Sequence, residues 1–209
     1  MTEGSGGSAS DDPTGPDDDS GRAGATPDPQ RVIDRTRCWL ERAVIGLDLC
    51  PFAGAVHRKG RIRYVVSAVT EPARLLEELA AELQLLQAAD PSEVETTLLI
   101  HPGVLTDFLD YNDFLDVVDE AVSELGLEGE LQVASFHPEY QFAGTSPDDI
   151  GNATNRSPYP TLHLLRESSI SRAVDAYEGI EEIGERNAET LRRLGADGWA
   201  RLWQDSPQD

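Results

Sequence analysis

Two short steps carry the first chemical signal. Ile100-His101-Pro102 and Phe136-His137-Pro138 each close an apolar run on a His-Pro pair, 36 residues apart. An imidazole that is neutral near pH 7 can take a proton, donate one hydrogen bond or ligate a metal. The segment from Phe136 to Glu167 then gathers Glu139, Tyr140, Asn155, Arg156, Tyr159, His163 and Arg166. A fixed guanidinium beside a titratable ring suits a small anionic ligand. In the expected arrangement Arg156, with Arg166, orients the anion, while Asn155, Tyr140 and Tyr159 line the pocket. His137 then acts as general acid or base and His163 as its neutral partner. Two other classes stay open. His137 and His163 with either His101 or Glu139 would make a zinc or iron site, although their spacing fits no standard signature. The third is a non-catalytic module that binds a ligand or a partner.

Other reactive side chains read as structural. Cys50-Pro51-Phe52 ends an expected helix, where the dipole raises a thiol pKa, so Cys50 is read as a packing or pocket-wall residue. Twelve residues along one helix would hold Cys38 about 18 Å from Cys50, too far for a disulfide, and both are read as reduced thiols. His57 lies in a polar, basic loop and is expected to be solvated. Asp107, Asp110, Asp113, Asp116 and Asp119 step by three and lack the glycine turn of a calcium loop, so they read as a solvated helix face. No Cys-x-x-Cys pair, phosphate-cradling glycine loop, dinucleotide fingerprint or Gly-x-Ser-x-Gly elbow is present, and no motif names a cofactor.

The charge balance narrows the partners. Among 209 residues, 39 acids against 17 basic groups give a net charge of -22. Such a polyanion repels nucleic acid and anionic lipid, which argues against both as partners. There is no run of about 18 apolar residues and no basic-then-apolar leader, so a cytoplasmic protein is expected. Charge is also segregated. Leu75 to Asn155 holds 18 acids and no Lys or Arg, whereas residues 31 to 63 hold eight basic groups against three acids. A local positive patch in a negative protein concentrates small anions while larger polyanions are repelled.

These residues need a scaffold. Residues 1–27 carry six Gly, three Pro and four Ser, with no Leu, Ile, Val or aromatic, and read as a disordered acidic tail ahead of one domain over 28–209. Helical spacing runs from Pro29 to Asp48, then over the leucines of a helix capped by Thr70, then through a long helix opened by Thr106 and closed by Gly126. Strands are expected at 61–69, 94–101 and 130–137. Pro160 is read as the first turn of a helix through His163 and Arg166 to about Ala176, which would bias His163 toward its neutral form. A final helix runs from Ile180 to Gly195, followed by a Trp199, Leu202, Trp203 patch. The alternation predicts an α/β fold: a small, mostly parallel three-stranded sheet flanked by helices, with an additional C-terminal helical segment. Both His-Pro steps would then emerge at the carboxyl edge of the sheet, where open α/β sheets bind ligands.

The Cys50-Pro51-Phe52 step, the segment from His137-Pro138 to Phe142, and Asn155-Arg156-Ser157-Pro158-Tyr159-Pro160 followed by Leu162-His163-Leu164-Leu165-Arg166-Glu167 resemble a bacterial family of unknown function, number fourteen-fifteen among such domains. The resemblance covers about residues 30 to 195 and implies no activity. Against it stands the charge: a single lysine and a great excess of acid look like adaptation to high salt.

Overall fold

The structure, a computed structural model, describes residues 27–176 and 182–203. The expected acidic tail lies outside them apart from Pro27, and so does Ile180. Helix α1 (Pro29–Trp39) starts with proline in its first turn, and the Asp28 side chain accepts from the Gln30 N–H. It continues into a π-helical segment, Leu40–Ile45, and the chain turns at Asp48, which takes a left-handed φ of 54°. A short α2 (Ala53–Arg58) leads to β1 (Ile62–Val66). Then follow α3 (Pro72–Ala88), β2 (Thr96–Ile100), α4 (Phe108–Glu124) and β3 (Leu131–Phe136). The two caps differ from expectation. The residue before α3 is Glu71, not Thr70, and α4 is capped by Asp107, whose carboxylate accepts from the Leu109 and Asp110 N–H groups.

The main correction falls after Pro160. Thr161–Arg166 is a strand, β4, and only Glu167–Ala176 forms a helix, α5. Proline suits the start of either element, and the alternation Thr161-Leu162-His163-Leu164 is too short to separate strand from helix. The sheet therefore has four strands in the order β1-β2-β4-β3, with β1 and β2 parallel and both other pairs antiparallel. The class is α/β as expected; the three-stranded, mostly parallel sheet is not. Strands β2 and β3 still run the same way, so His101 and His137 do share an edge, but β4 lies between them. Helix α6 (Ile183–Arg201) passes Gly195, where the expected helix ends, through a kink at φ 70°.

Each face of the sheet has its own cover. On one, Leu99, Leu162, Leu164 and Leu131 pack against the leucines of α3 and against Tyr111, Phe114 and Val118 of α4. On the other, Val32 of α1 meets Leu98 and Ile100, while Trp39 and Leu40 pack with Ile62, Tyr64 and Phe136. Trp199, Leu202 and Trp203 join that second layer, as their apolar character predicts.

Candidate functional site

At the carboxyl edge the two His-Pro steps are held by α4. Tyr111 lies between the imidazoles, its ring 5.8 Å from that of His101 and 5.1 Å from that of His137. Phe108 and Tyr140 extend the stack beyond His137. Both histidines are 0% exposed. The His137 Nδ1 accepts from the Glu139 N–H, so its proton is on Nε2 and is donated to the Leu105 carbonyl at 3.3 Å. His101 has the opposite tautomer: Nδ1–H donates to the Val104 carbonyl at 2.9 Å, and Nε2 is buried without a partner. Burial pushes the His101 pKa down to about 4 against the opposing Val104 hydrogen bond, and burial lowers that of His137 as well. Both rings are therefore neutral at pH 7. Leu105 takes a left-handed φ of 54°, a conformation costly for leucine, while its carbonyl receives the His137 proton.

The expected anion ligands have other duties. Arg156 donates from Nε to the Tyr140 carbonyl and from Nη2 to the Pro147 carbonyl, tying the 139–159 loop together across a short 3₁₀ helix, Ile150–Thr154. Asn155 donates to the Ser135 carbonyl, and its own carbonyl accepts from the His137 N–H. Tyr140 packs in the aromatic stack, and the Arg35 guanidinium lies 5.6 Å over Tyr159. Arg166 sits at the other end of β4, where Nη2 donates to the Leu86, Ala89 and Val94 carbonyls around the C-terminus of α3. His57 is not in a solvated loop as expected: it lies in α2, half-buried, 3.1 Å from Glu41. In the basic cluster Arg63 makes a two-point pair with Glu82, and Arg61 lies 3.9 Å from Glu95. Cys50 packs beside the Trp39 cluster and burial raises its thiol pKa, against opposing hydrogen bonds from the Phe52 and Ala53 backbone. It forms no disulfide with Cys38. Glu139 turns an exposed side chain outward. Among the described residues no three His, Cys, Asp or Glu side chains converge as metal ligands.

His163 is elsewhere. It lies on the face covered by α1, in register with Leu98 of β2 and Ala134 of β3, its ring 6.1 Å from Phe136. His137 contacts α4 on the opposite side, so the two do not meet. Rows of side chains cross the sheet on the His163 face. One reads Tyr64, Leu98, His163, Ala134, and the next Ile62, Thr96, Leu165, Gln132. Thr96 is the residue that sequence reasoning missed. Its hydroxyl donates to the Leu164 carbonyl at 2.5 Å, which obliges His163 Nε2 to be the donor in their 2.7 Å hydrogen bond. The proton is thereby held on Nε2 and the lone pair on Nδ1. Burial lowers the His163 pKa to about 4, and the residue is partly exposed, as are Ala134, Gln132 and Leu165 beside it. In the same row Tyr64 lies with the Arg37 guanidinium 4.9 Å over its ring, and burial raises its hydroxyl pKa against the opposing Arg37 charge. Nothing local in the sequence marks Thr96 or Tyr64, because their nearness to His163 is created by strand register.

The profile of a family described as "Protein of unknown function (DUF1415)" matches residues 31–201. No curated protein and no solved structure matches the chain.

Proposed function

The chain belongs to the DUF1415 family, whose function is unknown, and from its own geometry we propose that it is a small-molecule enzyme working on the sheet face around His163. One observation carries the reading: a neutral imidazole in an inner strand, oriented by Thr96, keeps its Nδ1 lone pair free of the Thr96 hydrogen bond on a partly accessible sheet face. A general base needs its tautomer fixed by a group on the far side of the ring, and Thr96 is that group. His101 and His137, sealed among aromatic rings, are positioning residues for the edge loops in this reading, and Arg156 is the anchor of its loop.

The ligand is a small anion. Arg37 over Tyr64 supplies the cation on this face, and Tyr64 stands two strands from His163, about 10 Å between Cα atoms. The Tyr64 hydroxyl is buried beside that guanidinium, and Phe136 walls the floor. With the net charge of -22 this favours small anions over nucleic acid or membrane, and a cytoplasmic setting. The salt adaptation read from the acid excess belongs to the same proposal. Among the described residues no helix is long and apolar enough to cross a membrane.

The test is a screen of small carboxylates and phosphate esters for binding by ligand-observed NMR and for turnover, repeated with His163→Gln and Arg37→Gln. A compound turned over by the parent protein, bound but not turned over by His163→Gln, and bound weakly by Arg37→Gln supports the reading. Binding without turnover in all forms makes the protein a binding module, and turnover that survives His163→Gln removes the base from this site.

A further inference from the structure

A second polar site lies at the opposite end of β4, independent of the His163 face. Gln87 at the end of α3, Gly129, Glu130 and Leu131 entering β3, and Arg166 and Ser168 where β4 passes into α5 surround a cavity of about 210 Å³. Arg166 is only 9% exposed. One of its three nitrogens, Nη2, serves all three carbonyls at the α3 terminus. Nε is buried with no partner. A buried guanidinium is costly unless its N–H groups are satisfied, and carbonyl dipoles on Nη2 leave Nε unmatched.

The chemistry of the rim selects among acceptors. Glu130 carries its carboxylate at the cavity, held by the Gln87 amide at 2.9 Å, and among the described residues makes no ion pair with Arg166. A dianion entering toward Arg166 would meet that charge as well as the negative field of the whole protein. A monocarboxylate bearing an ammonium or hydroxyl group answers both ends: its carboxylate completes the guanidinium fork and its donor faces Glu130. Ser168 adds a hydroxyl that can accept or donate. We propose that this cavity is a binding site for a small α-amino or α-hydroxy monocarboxylate, with Arg166 as its anion ligand and Glu130 as the group that discriminates.

The Nε–H of Arg166 is the natural reporter, because a buried guanidinium N–H exchanges slowly enough to be seen by ¹⁵N NMR. Glycine and glycolate are titrated into the full chain, with acetate and inorganic phosphate as comparisons. Arg166→Lys assigns the signal; should that variant not fold, loss of the α3 cap being the cause, selective broadening by Ser168→Cys carrying a spin label assigns it instead. Glycine and glycolate are expected to shift the resonance saturably, about tenfold more tightly than acetate, the scale of one hydrogen bond to a charged group, with phosphate binding most weakly. Glu130→Gln should erase the preference over acetate. Ser168→Tyr, which fills the cavity from an exposed position and leaves the Arg166 hydrogen bonds in place, should abolish the shift. The site is overturned if neither glycine nor glycolate gives a saturable shift, or if the shift persists in Ser168→Tyr. Acetate or phosphate binding as tightly as glycine overturns the ligand class.

Discussion

At the scale of single residues, the three buried imidazoles set the protein's response to acid. His101 and His163 have pKa values lowered to about 4, and that of His137 is lowered too, all chiefly by burial. In the unfolded chain each returns to about 6.5. Between those values the unfolded state binds more protons, so stability is complete above pH 6.5 and is lost as the pH falls toward 4. For the fully buried His101 the loss is at most about 3 kcal/mol; the partly accessible His163 contributes less. The urea midpoint should therefore fall between pH 7 and pH 5, above the range where most carboxylates titrate, and an unchanged midpoint there contradicts the burial of these rings in neutral form. Tyr111 is the second test at this scale. Its hydroxyl donates to the Thr161 carbonyl and accepts from the Phe136 N–H, joining β4 to β3. Tyr111→Phe strands both backbone groups and should cost about 1–3 kcal/mol in urea unfolding. A smaller loss would mean that water replaces the hydroxyl.

At the scale of elements, the loop from 139 to 159 is the segment whose order depends on one side chain. Arg156 reaches two carbonyls in it, those of Tyr140 and Pro147, while Asn152 accepts from the Phe142 N–H and the Thr145 hydroxyl. Arg156→Ala should lower the melting temperature and speed amide exchange through 139–159 more than in β2 or α3. If exchange there is unaltered and only ligand binding is lost, Arg156 is a ligand contact and the loop is held by Asn152 alone. The acidic α4 belongs to the same scale. Its buried side presents Tyr111, Phe114, Val118 and Val122, whereas its aspartates take the outer side, consistent with a solvated face.

At the scale of the molecule, charge repulsion is the governing quantity. With 18 acids and no cation between Leu75 and Asn155, the folded chain concentrates like charge that salt screens. The melting temperature should rise from low to molar salt. A flat profile would show that the acid excess is not a stability adaptation to saline conditions, and would leave the -22 charge as a matter of solubility and ligand steering alone.

Much of this architecture was legible from local pattern. The β-branched run of β1, the apolar runs ending at Ile100 and Phe136, the leucine stripe of α3 and the shared edge of His101 and His137 follow from periodicity and from right-handed βαβ connections, which are properties of neighbours in the chain. The Cys50 and Asp-ladder readings rest on the same kind of local argument, whereas His57 lies not in a solvated loop but in α2, half-buried against Glu41. What local pattern does not contain is β4. Its residues are flanked by β2 and β3, and the polar–apolar alternation Thr161-Leu162-His163-Leu164 is too short to separate a strand from one turn of helix, while a helix there puts His163 beside His137. Strand register then turned His163 to the opposite face and set Thr96 against its Nε2, across 67 positions of sequence. It likewise carried Arg166 to the end of α3, 80 residues before it in the chain. Which atoms meet across a sheet depends on register and strand order, and those are settled by burying both faces at once, a condition on the whole fold that no window of sequence expresses.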